Sequence, residues 1–304
     1  MKQVRLVEVG LRDGLQNEST MLSVDQRFEL LQKLLNAGVR HFEIGAFVSP
    51  KWVPQMAVTE ELVKKYKTKI KNAKLEPSVL VPNEIGFQKA VQLGLKEIAI
   101  FASSSETFSQ KNINCSIEES FERFKPVMAL AKKHKIKVRG YLSVCFGCPF
   151  EGDVPQKKVV ELAKKLHQMG CYEISIGDTI GVAHVGQVKS LFKKLKKAIP
   201  VKKLAGHFHD TRGQALVNIL AAYELGIKTF DSSIGGLGGC PYAKGATGNV
   251  ATEDVVYMFQ DMGVKTGLNL QKLIEINQWL NPQMNHPLTS KVGRVGLLKI
   301  EKEN

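Results

Sequence analysis

The sequence contains no apolar run that approaches the roughly 20 residues needed for a membrane-spanning helix. It also contains no low-complexity tract, no linker and no break in composition. The first residues, MKQVRLVEVG, form neither a signal h-region nor an Arg- and Ser-rich transit segment. We therefore expect no membrane partner and a cytoplasmic location, or the mitochondrial matrix if the chain is a mature eukaryotic form.

Cysteine is scarce, and its five copies form an odd, scattered set that does not resemble a disulfide framework: Cys115, Cys145, Cys148, Cys171 and Cys240. A reducing compartment fits this usage. The pair in CFGC has zinc or redox spacing, but no second CxxC exists to complete a zinc site. Buried thiols are the favoured interpretation of this pair.

Negative charge is also in short supply, since 43 Lys and Arg face 29 Asp and Glu, for a net charge of +14. Clustered cations would indicate nucleic-acid binding, but these lie in short runs over helix-like segments. The sequence has no zinc-finger pattern and no aromatic-rich nucleic-acid motif. We expect no nucleic-acid partner, and an anionic small molecule fits the charge at least as well. A basic nucleic-acid or scaffold protein is the alternative outside enzymes.

Eight short apolar runs predict strands at residues 4–10, 39–45, 75–81, 95–101, 136–143, 171–177, 204–209 and 228–234. Amphipathic segments lie between them, and several end at a glycine before the next strand: Gly38, Gly94, Gly170 and Gly226. This order predicts an α/β (β/α)₈ TIM barrel over residues 1–264 rather than a doubly wound open sheet. Residues 265–304 are predicted to form a C-terminal helical appendage packed on the barrel, with one helix at LQKLIEINQWL.

Local signals fix the ends of two predicted helices. Ser23 is the expected N-cap of SVDQRFELLQKLLNAG, and Ser116 with Glu119 has the spacing of a capping box. Pro126 should kink or interrupt the second of these helices.

Polar residues follow several of the predicted strands, where the active sites of such barrels lie. The first strand leads into GLRDGLQNE with Arg12, Asp13 and Gln16, the second ends with Glu43, and the sixth is followed by Asp178. The seventh ends in HFHD, where His207 and His209 share one face with Cα atoms ~6.6 Å apart. Convergence from strands distant in sequence is harder to obtain by chance than any single motif.

Asp13, His207 and His209 offer one carboxylate and two imidazoles, and an amide oxygen from Asn249 would complete four protein ligands. Mixed nitrogen and oxygen ligands suit Mg²⁺ or Mn²⁺, and Zn²⁺ less well. Three alternatives stay open. A histidine of the pair can be a satisfied packing residue, Asp13 can cap a helix or turn, and Asn249 can cap the helix that follows it.

Residues 235–248 contain six glycines around Cys240. A loop of this kind can be a plain connection, a phosphate cradle or a mobile lid, and the Walker Lys-Ser/Thr is missing. A thiol beside a dication and a positive rim has the setting that lowers a thiol pKa, which favours a proton-transferring or nucleophilic cysteine.

Six motifs together resemble the hydroxymethylglutaryl-CoA lyase family, from about residue 3 to about residue 275: VEVGLRDGLQNE, FVSPKWVPQM, KNINCSIEESFERF, GCYEISIGDTIGV, HFHDTRGQAL and GGLGGCPYAKGATGNVATEDVVYM. The cysteine-containing glycine loop is the most specific of them. The resemblance implies cleavage of 3-hydroxy-3-methylglutaryl-CoA, an acyl-CoA thioester, into acetyl-CoA and acetoacetate. It also implies a homodimer.

The resemblance further implies a role for individual residues. Asp13, His207, His209 and Asn249 would hold the divalent cation, and Arg12 would steady the thioester carbonyl as it becomes an enolate. Cys240 would return a proton, with Glu253 positioned near its loop, and Glu43 and Asp178 would be important for catalysis. His207 or Asp178 is the expected base for the substrate hydroxyl, and Arg12 and Gln16 are expected to bind substrate. Alternatives are a lyase for a related 3-hydroxy-3-alkylglutaryl-CoA and a metal-dependent hydrolase.

Overall fold

The computed structural model describes residues 2–70, 75, 77–239 and 248–297. Eight parallel strands form one sheet: β1 Arg5–Glu8, β2 Glu43–Ala46, β3 Ser78–Leu80, β4 Glu97–Ser103, β5 Lys137–Ser143, β6 Glu173–Asp178, β7 Leu204–Phe208 and β8 Thr229–Ser232. Every predicted strand is confirmed. The predicted second strand ended at residue 45 with Glu43 near its end, and this was wrong in detail because Glu43 is the first residue of β2.

The sheet closes on itself. Its strands are hydrogen-bonded in the order β1-β8-β7-β6-β5-β4-β3-β2. A parallel bridge between Glu8 and Phe42, with the Glu8 amide donating to the His41 carbonyl at 2.9 Å, joins the two ends. The (β/α)₈ barrel is therefore confirmed, and the carboxyl ends of all eight strands meet at one rim.

Eleven α-helices lie in the described ranges: α1 Val24–Asn36, α2 Thr59–Lys69, α3 Glu84–Gln92, α4 Glu106–Ile113, α5 Ile117–His134, α6 Gln156–Met169, α7 Val185–Ala198, α8 Ala215–Glu224, α9 Thr252–Asp261, α10 Leu270–Leu280 and α11 Lys291–Val295. Their apolar faces pack on the outside of the barrel and form one continuous core with the strands. This layer holds the strand ends in place.

The predicted helix starts are confirmed. Ser23 caps α1, and Ser116 caps α5 through reciprocal bonds with Glu119. The interruption predicted at Pro126 is wrong, because α5 continues through it to His134. A proline inside a helix costs about 3 kcal/mol. Here Phe121, Phe124 and Val127 are buried on either side of it, and their packing on the barrel keeps the helix continuous.

The glycines predicted to end helices all adopt positive φ, between 64° and 106°. At Gly38, between α1 and β2, space is short as well, because a Cβ would lie 2.5 Å from the Gly267 carbonyl oxygen. At Gly94, which ends α3 in the same way, the nearest atom to an added Cβ is the end of Lys67 at 3.7 Å.

The helix predicted at LQKLIEINQWL is confirmed as α10, which contacts α1 and α9. A short helix, α11, follows it and contacts α9 and α10. The division of the chain at residue 264 stays a prediction.

Gly38→Ala should destabilise the protein more than Gly94→Ala. Both substitutions place a Cβ at positive φ, which costs about 1 kcal/mol, and only the first also forces the backbone near Gly267 to move, which adds about 1–3 kcal/mol. Urea unfolding followed by circular dichroism measures both differences. Equal losses for the two variants would contradict the close approach at Gly38.

Candidate functional site

The site begins at the end of β7. His207 lies in the strand and His209 immediately follows it, so both imidazoles project to the same side, and their Nε2 atoms are 3.3 Å apart. Both residues are buried, at 8% and 5% exposure. The two-residue spacing thus brings two imidazoles to one point.

Asp13 completes this group from the turn after β1. It lies in a π-helical turn, Gly10–Gly14, and its Oδ2 is 3.7 Å from His207 Nε2 and 3.8 Å from His209 Nε2. One possible ligand atom from each of the three residues lies within 4.8 Å of the others. Burial alone would favour the neutral acid, but the Arg12 charge and the two imidazoles hold the pKa of Asp13 well below its usual value.

Arg12 links Asp13 to the second strand. Its Nε donates to Glu43 Oε2 at 2.6 Å, and its Nη1 donates to Asp13 Oδ1 at 2.5 Å. The guanidinium also lies 5.2 Å from the centre of the Tyr141 ring. Burial opposes the charge of Arg12, yet Glu43 and Asp13 raise its pKa above the ordinary value, so it stays cationic. Burial raises the pKa of Glu43 despite this arginine.

Asn249 joins the group from the segment that returns along β7. It forms an antiparallel bridge with His209, and its Nδ2 donates to Asp13 Oδ2 at 2.8 Å. The alternative that Asn249 caps the next helix is wrong, because Ala251 occupies the N-cap of α9. The Val250 amide donates to the Phe208 carbonyl, which keeps the segment around Asn249 extended, so that α9 begins only at Thr252.

Asp178 ends β6 and is 2% exposed. Its two carboxylate oxygens accept the amides of Val182 and Ala183 at 2.9 and 3.0 Å, so it shapes the GDTIGVA turn. Its backbone carbonyl accepts the His209 amide at 3.3 Å. Burial raises the pKa of Asp178, and the two backbone amides oppose the rise.

Glu253 lies on α9 beneath the start of the glycine loop. Its carboxylate accepts the Gly235 amide at 3.0–3.1 Å, and Asn277 of α10 donates to Oε1 at 2.9 Å. Gly235 has φ 68°. Burial raises the pKa of Glu253 to about 8, with these hydrogen bonds opposing the rise. Glu253 therefore fixes the base of the loop.

Two other predicted residues have different outcomes. Gln16 is half-buried in the segment after the β1 turn, close in sequence to Arg12 and Asp13. Cys240 lies outside the described residues, so its predicted role stays a prediction.

The barrel interior also contains a set of paired charges that were not predicted from the sequence. Arg139 of β5 donates to Glu173 Oε1 at 2.8 Å and forms an ion pair with Asp231 Oδ1 at 2.8 Å. Arg5 also pairs with Glu173. A signal was present, since each of these residues interrupts an apolar strand and is fully or partly buried. Charged residues are rarely buried unless paired, so ion pairs between these four strands could have been expected.

The donor set fits a divalent cation. Two imidazole nitrogens 3.3 Å apart match cis ligands of an octahedral ion, which are roughly 3 Å apart for bonds of ~2.1 Å. The neighbouring carboxylate is ionised, as a ligand must be. Asn249 turns its amide nitrogen, and not its oxygen, towards Asp13, so the predicted ligation through the Asn249 oxygen stays a prediction. Among the described helices, none has both the length and the apolar composition that crossing a bilayer requires.

The fold and this cluster define the class: a (β/α)₈-barrel protein with a carboxylate–imidazole centre at its C-terminal rim, where barrel enzymes bind their substrates. The HMGL-like family model matches residues 3–280. Relatives that are 50% identical to the chain include two lyases. Mitochondrial hydroxymethylglutaryl-CoA lyase of Rattus norvegicus matches over 96% of this chain and 89% of its own length. 3-Hydroxy-3-isohexenylglutaryl-CoA/hydroxymethylglutaryl-CoA lyase of Pseudomonas aeruginosa matches over 91% of each chain.

A solved structure of hydroxymethylglutaryl-CoA lyase from Pseudomonas aeruginosa superposes with a TM-score of 0.92 at 48% identity, over 96% of this chain and 97% of that one. The chain belongs to the HMGL-like family, among its hydroxymethylglutaryl-CoA lyases. The resemblance drawn from the sequence motifs and the enzyme class that it implies are confirmed.

Replacing Glu253 with Gln should change how stability depends on pH. Because the folded-state pKa of about 8 lies above the ordinary 4.5, the stability contributed by the neutral carboxyl is complete below 4.5 and is lost as pH rises through about 8. The free energy of unfolding of the wild type, relative to Glu253→Gln, should therefore fall across this window, by at most about 1.4 kcal/mol per pH unit.

Urea unfolding at a series of pH values measures the difference between the two proteins. The buried Glu8, whose pKa burial raises to about 7, is present in both and cancels. Glu275→Gln, at an exposed position of α10, is the control. Parallel pH profiles for wild type and Glu253→Gln would refute the shift.

Proposed function

We propose that this protein cleaves 3-hydroxy-3-methylglutaryl-CoA to acetyl-CoA and acetoacetate with the help of a divalent cation. Asp13, His207 and His209, which we call the ligand group, would hold the cation, with the Asn249 oxygen as fourth ligand. The observation that supports this most directly is the convergence of the carboxylate and the two imidazoles within 4.8 Å, beside the buried cation of Arg12. The nitrogen and oxygen donors favour Mg²⁺ or Mn²⁺ over Zn²⁺.

The reaction needs three things from its site. The tertiary hydroxyl must lose its proton, the bond between C2 and C3 must break, and its electron pair must be accepted as the enolate of acetyl-CoA. A bound divalent cation polarises the substrate oxygens as a Lewis acid. The remaining tasks, which are proton transfer and charge stabilisation, fall to side chains of this chain.

Arg12 is suited to the developing enolate. It remains cationic in a buried position, and two carboxylates fix its guanidinium, so little reorganisation is needed when negative charge appears on the thioester oxygen. Glu43 positions Arg12 from below. Gln16, just after the same turn, is proposed to contact the substrate.

Asp178 is the better of the two candidate bases. His207 has Nε2 in the ligand group and Nδ1 bonded to Asp231, which leaves no nitrogen for a substrate proton. Each oxygen of Asp178 accepts one backbone amide and keeps a second lone pair. Burial also raises the pKa of Asp178, which makes its carboxylate a stronger proton acceptor.

Cys240 is proposed to return a proton to the enolate carbon, as the family resemblance implies. Glu253 acts at a distance from this chemistry by holding the Gly235 amide at the base of the glycine loop.

We also propose that the protein is a homodimer and that it is located in the cytoplasm, or in the mitochondrial matrix for a mature eukaryotic form. The relative named for 3-hydroxy-3-isohexenylglutaryl-CoA favours a longer-branched thioester as the second candidate substrate.

Metal removal tests the proposed reaction. Enzyme treated with EDTA and dialysed should lose nearly all cleavage of 3-hydroxy-3-methylglutaryl-CoA, and Mg²⁺ or Mn²⁺ should restore it, because the substrate oxygens are no longer polarised. A coupled assay for acetoacetate measures turnover. The same assay with the isohexenyl thioester ranks the two substrates by kcat/KM. Full activity after chelation would refute the metal-dependent reaction.

Arg12→Gln should lower kcat by about 10²–10³ while changing KM little, because its charge is needed mainly as the enolate forms. Steady-state kinetics with saturating metal separates the two parameters. The control is Arg27→Gln, which removes another buried arginine, bonded to Gln55 and the Leu22 carbonyl on the outer layer, and should affect stability rather than kcat. A change confined to KM would mean that Arg12 only binds substrate.

A further inference from the structure

Asp231 lies directly behind one of the two imidazoles. His207 of β7 and Asp231 of β8 are partners in the strand register, so their side chains meet inside the barrel. The Asp231 Oδ2 is 3.1 Å from His207 Nδ1 and accepts the Ser175 hydroxyl at 2.7 Å, while Oδ1 pairs with Arg139 at 2.8 Å. Asp231 is 1% exposed.

These contacts fix where the proton of His207 lies. A carboxylate paired with an arginine only accepts hydrogen bonds, so a neutral His207 must carry its hydrogen on Nδ1. The lone pair is then on Nε2, which faces His209 Nε2 at 3.3 Å and Asp13 Oδ2 at 3.7 Å. This is the tautomer that can donate electrons to a cation at the ligand group.

We propose that Asp231 is a positioning residue that selects the Nδ1–H tautomer and the ring orientation of His207, and so prepares this side chain to bind the divalent cation. The inference rests on the proposed metal-dependent function. A carboxylate behind a metal-binding histidine raises its basicity, and losing such a partner typically costs 10–100-fold in metal affinity.

The two histidines are held differently. His209 Nδ1 is buried and has no hydrogen-bond partner within the described residues. Its ring is placed by the backbone of β7 and by contact with His207, whose ring centre is 5.3 Å away. Asp13 Oδ2 faces the Nε2 atoms of both imidazoles, at 3.7 and 3.8 Å. What distinguishes His207 among the described residues is the second carboxylate, at its Nδ1.

A purely structural role for Asp231, as a counter-ion of Arg139, can be separated from this one. Arg139 has a second buried carboxylate partner, Glu173, which accepts from its Nε at 2.8 Å. Within the described part of the chain, Glu173 has no hydrogen bond or ion pair with His207. Glu173→Gln thus removes one negative charge from the same arginine and leaves His207 with its partner. It is the matched control for Asp231→Asn.

In Asp231→Asn, Arg139 should attract the amide oxygen and turn the amide NH₂ towards His207. A donor at that position favours the Nε2–H tautomer, which blocks the ligand atom. The dissociation constant for Mn²⁺, measured by calorimetry on the whole protein, should rise about 10–100-fold, while Glu173→Gln should stay close to wild type. Circular dichroism and thermal unfolding of both variants show whether they fold.

Nitrogen-15 NMR of histidine in the metal-free wild type gives a second readout, with His207 assigned by comparison with His207→Asn. We expect a protonated Nδ1 on neutral His207, and a protonated Nε2 in Asp231→Asn. Protonated Nε2 in the wild type, or wild-type Mn²⁺ affinity in folded Asp231→Asn, would overturn the inference. Because the wild-type tautomer is read without Asp231→Asn, a protonated Nε2 in the wild type overturns the inference even if Asp231→Asn does not fold.

The two hypotheses fail differently. A wild type that binds no Mn²⁺ at the ligand group defeats the proposed function, whatever the histidine spectrum shows. A wild type that binds Mn²⁺ but has the other His207 tautomer defeats only the role of Asp231. An equal loss of Mn²⁺ affinity in Asp231→Asn and Glu173→Gln would assign both carboxylates a shared structural role and would also defeat it.

Discussion

The site depends on the double anchoring of Arg12 to Glu43 and Asp13. Removing one partner from a buried ion pair leaves an uncompensated charge and typically costs 3–5 kcal/mol, so the three groups act as a unit. Because Glu43 starts β2 and the other two lie in the turn after β1, this unit fixes the turn relative to the barrel wall. It thereby sets the position of Asp13, the carboxylate that faces the two imidazoles.

A second arginine inside the barrel is also paired with two carboxylates. Arg139 faces Glu173 and Asp231, and its guanidinium lies 4.9 Å from the centre of the Tyr141 ring. The guanidinium of Arg12 lies 5.2 Å from the centre of the same ring. Charges that are buried inside the barrel need oppositely charged partners, because an unpaired charge in a low-dielectric region is destabilising. These ion pairs also hold side chains such as Asp231 in a fixed orientation next to the proposed ligand His207. The apolar layer between strands and helices carries the hydrophobic contribution to stability instead.

The C-terminal part of the chain packs on the barrel and also forms hydrogen bonds that hold the start of the glycine loop at the rim. Asn277 of α10 bonds to Glu253, which holds the Gly235 amide, and Thr289 donates its amide to the Gly235 carbonyl at 3.0 Å. Three segments separated along the chain therefore fix the residue at which the glycine loop begins. The sequence predicted a helix here but gave no indication that its Asn would reach the site.

Periodicity and local chemistry in the sequence were enough to determine the eight strands, the helix caps at Ser23 and Ser116, the glycines that end helices, and the grouping of Asp13 with His207 and His209. Each follows from short-range rules: side chains alternate along a strand, caps satisfy free amides, and the strand ends of a parallel barrel meet at one rim. Tertiary structure alone decided that α5 passes through Pro126, that Asn249 lies in an extended segment, and that Arg139, Glu173 and Asp231 pair across the barrel. These outcomes depend on which strands become neighbours and in what register, because only packing of distant segments can outweigh a local preference or bring a buried charge its partner.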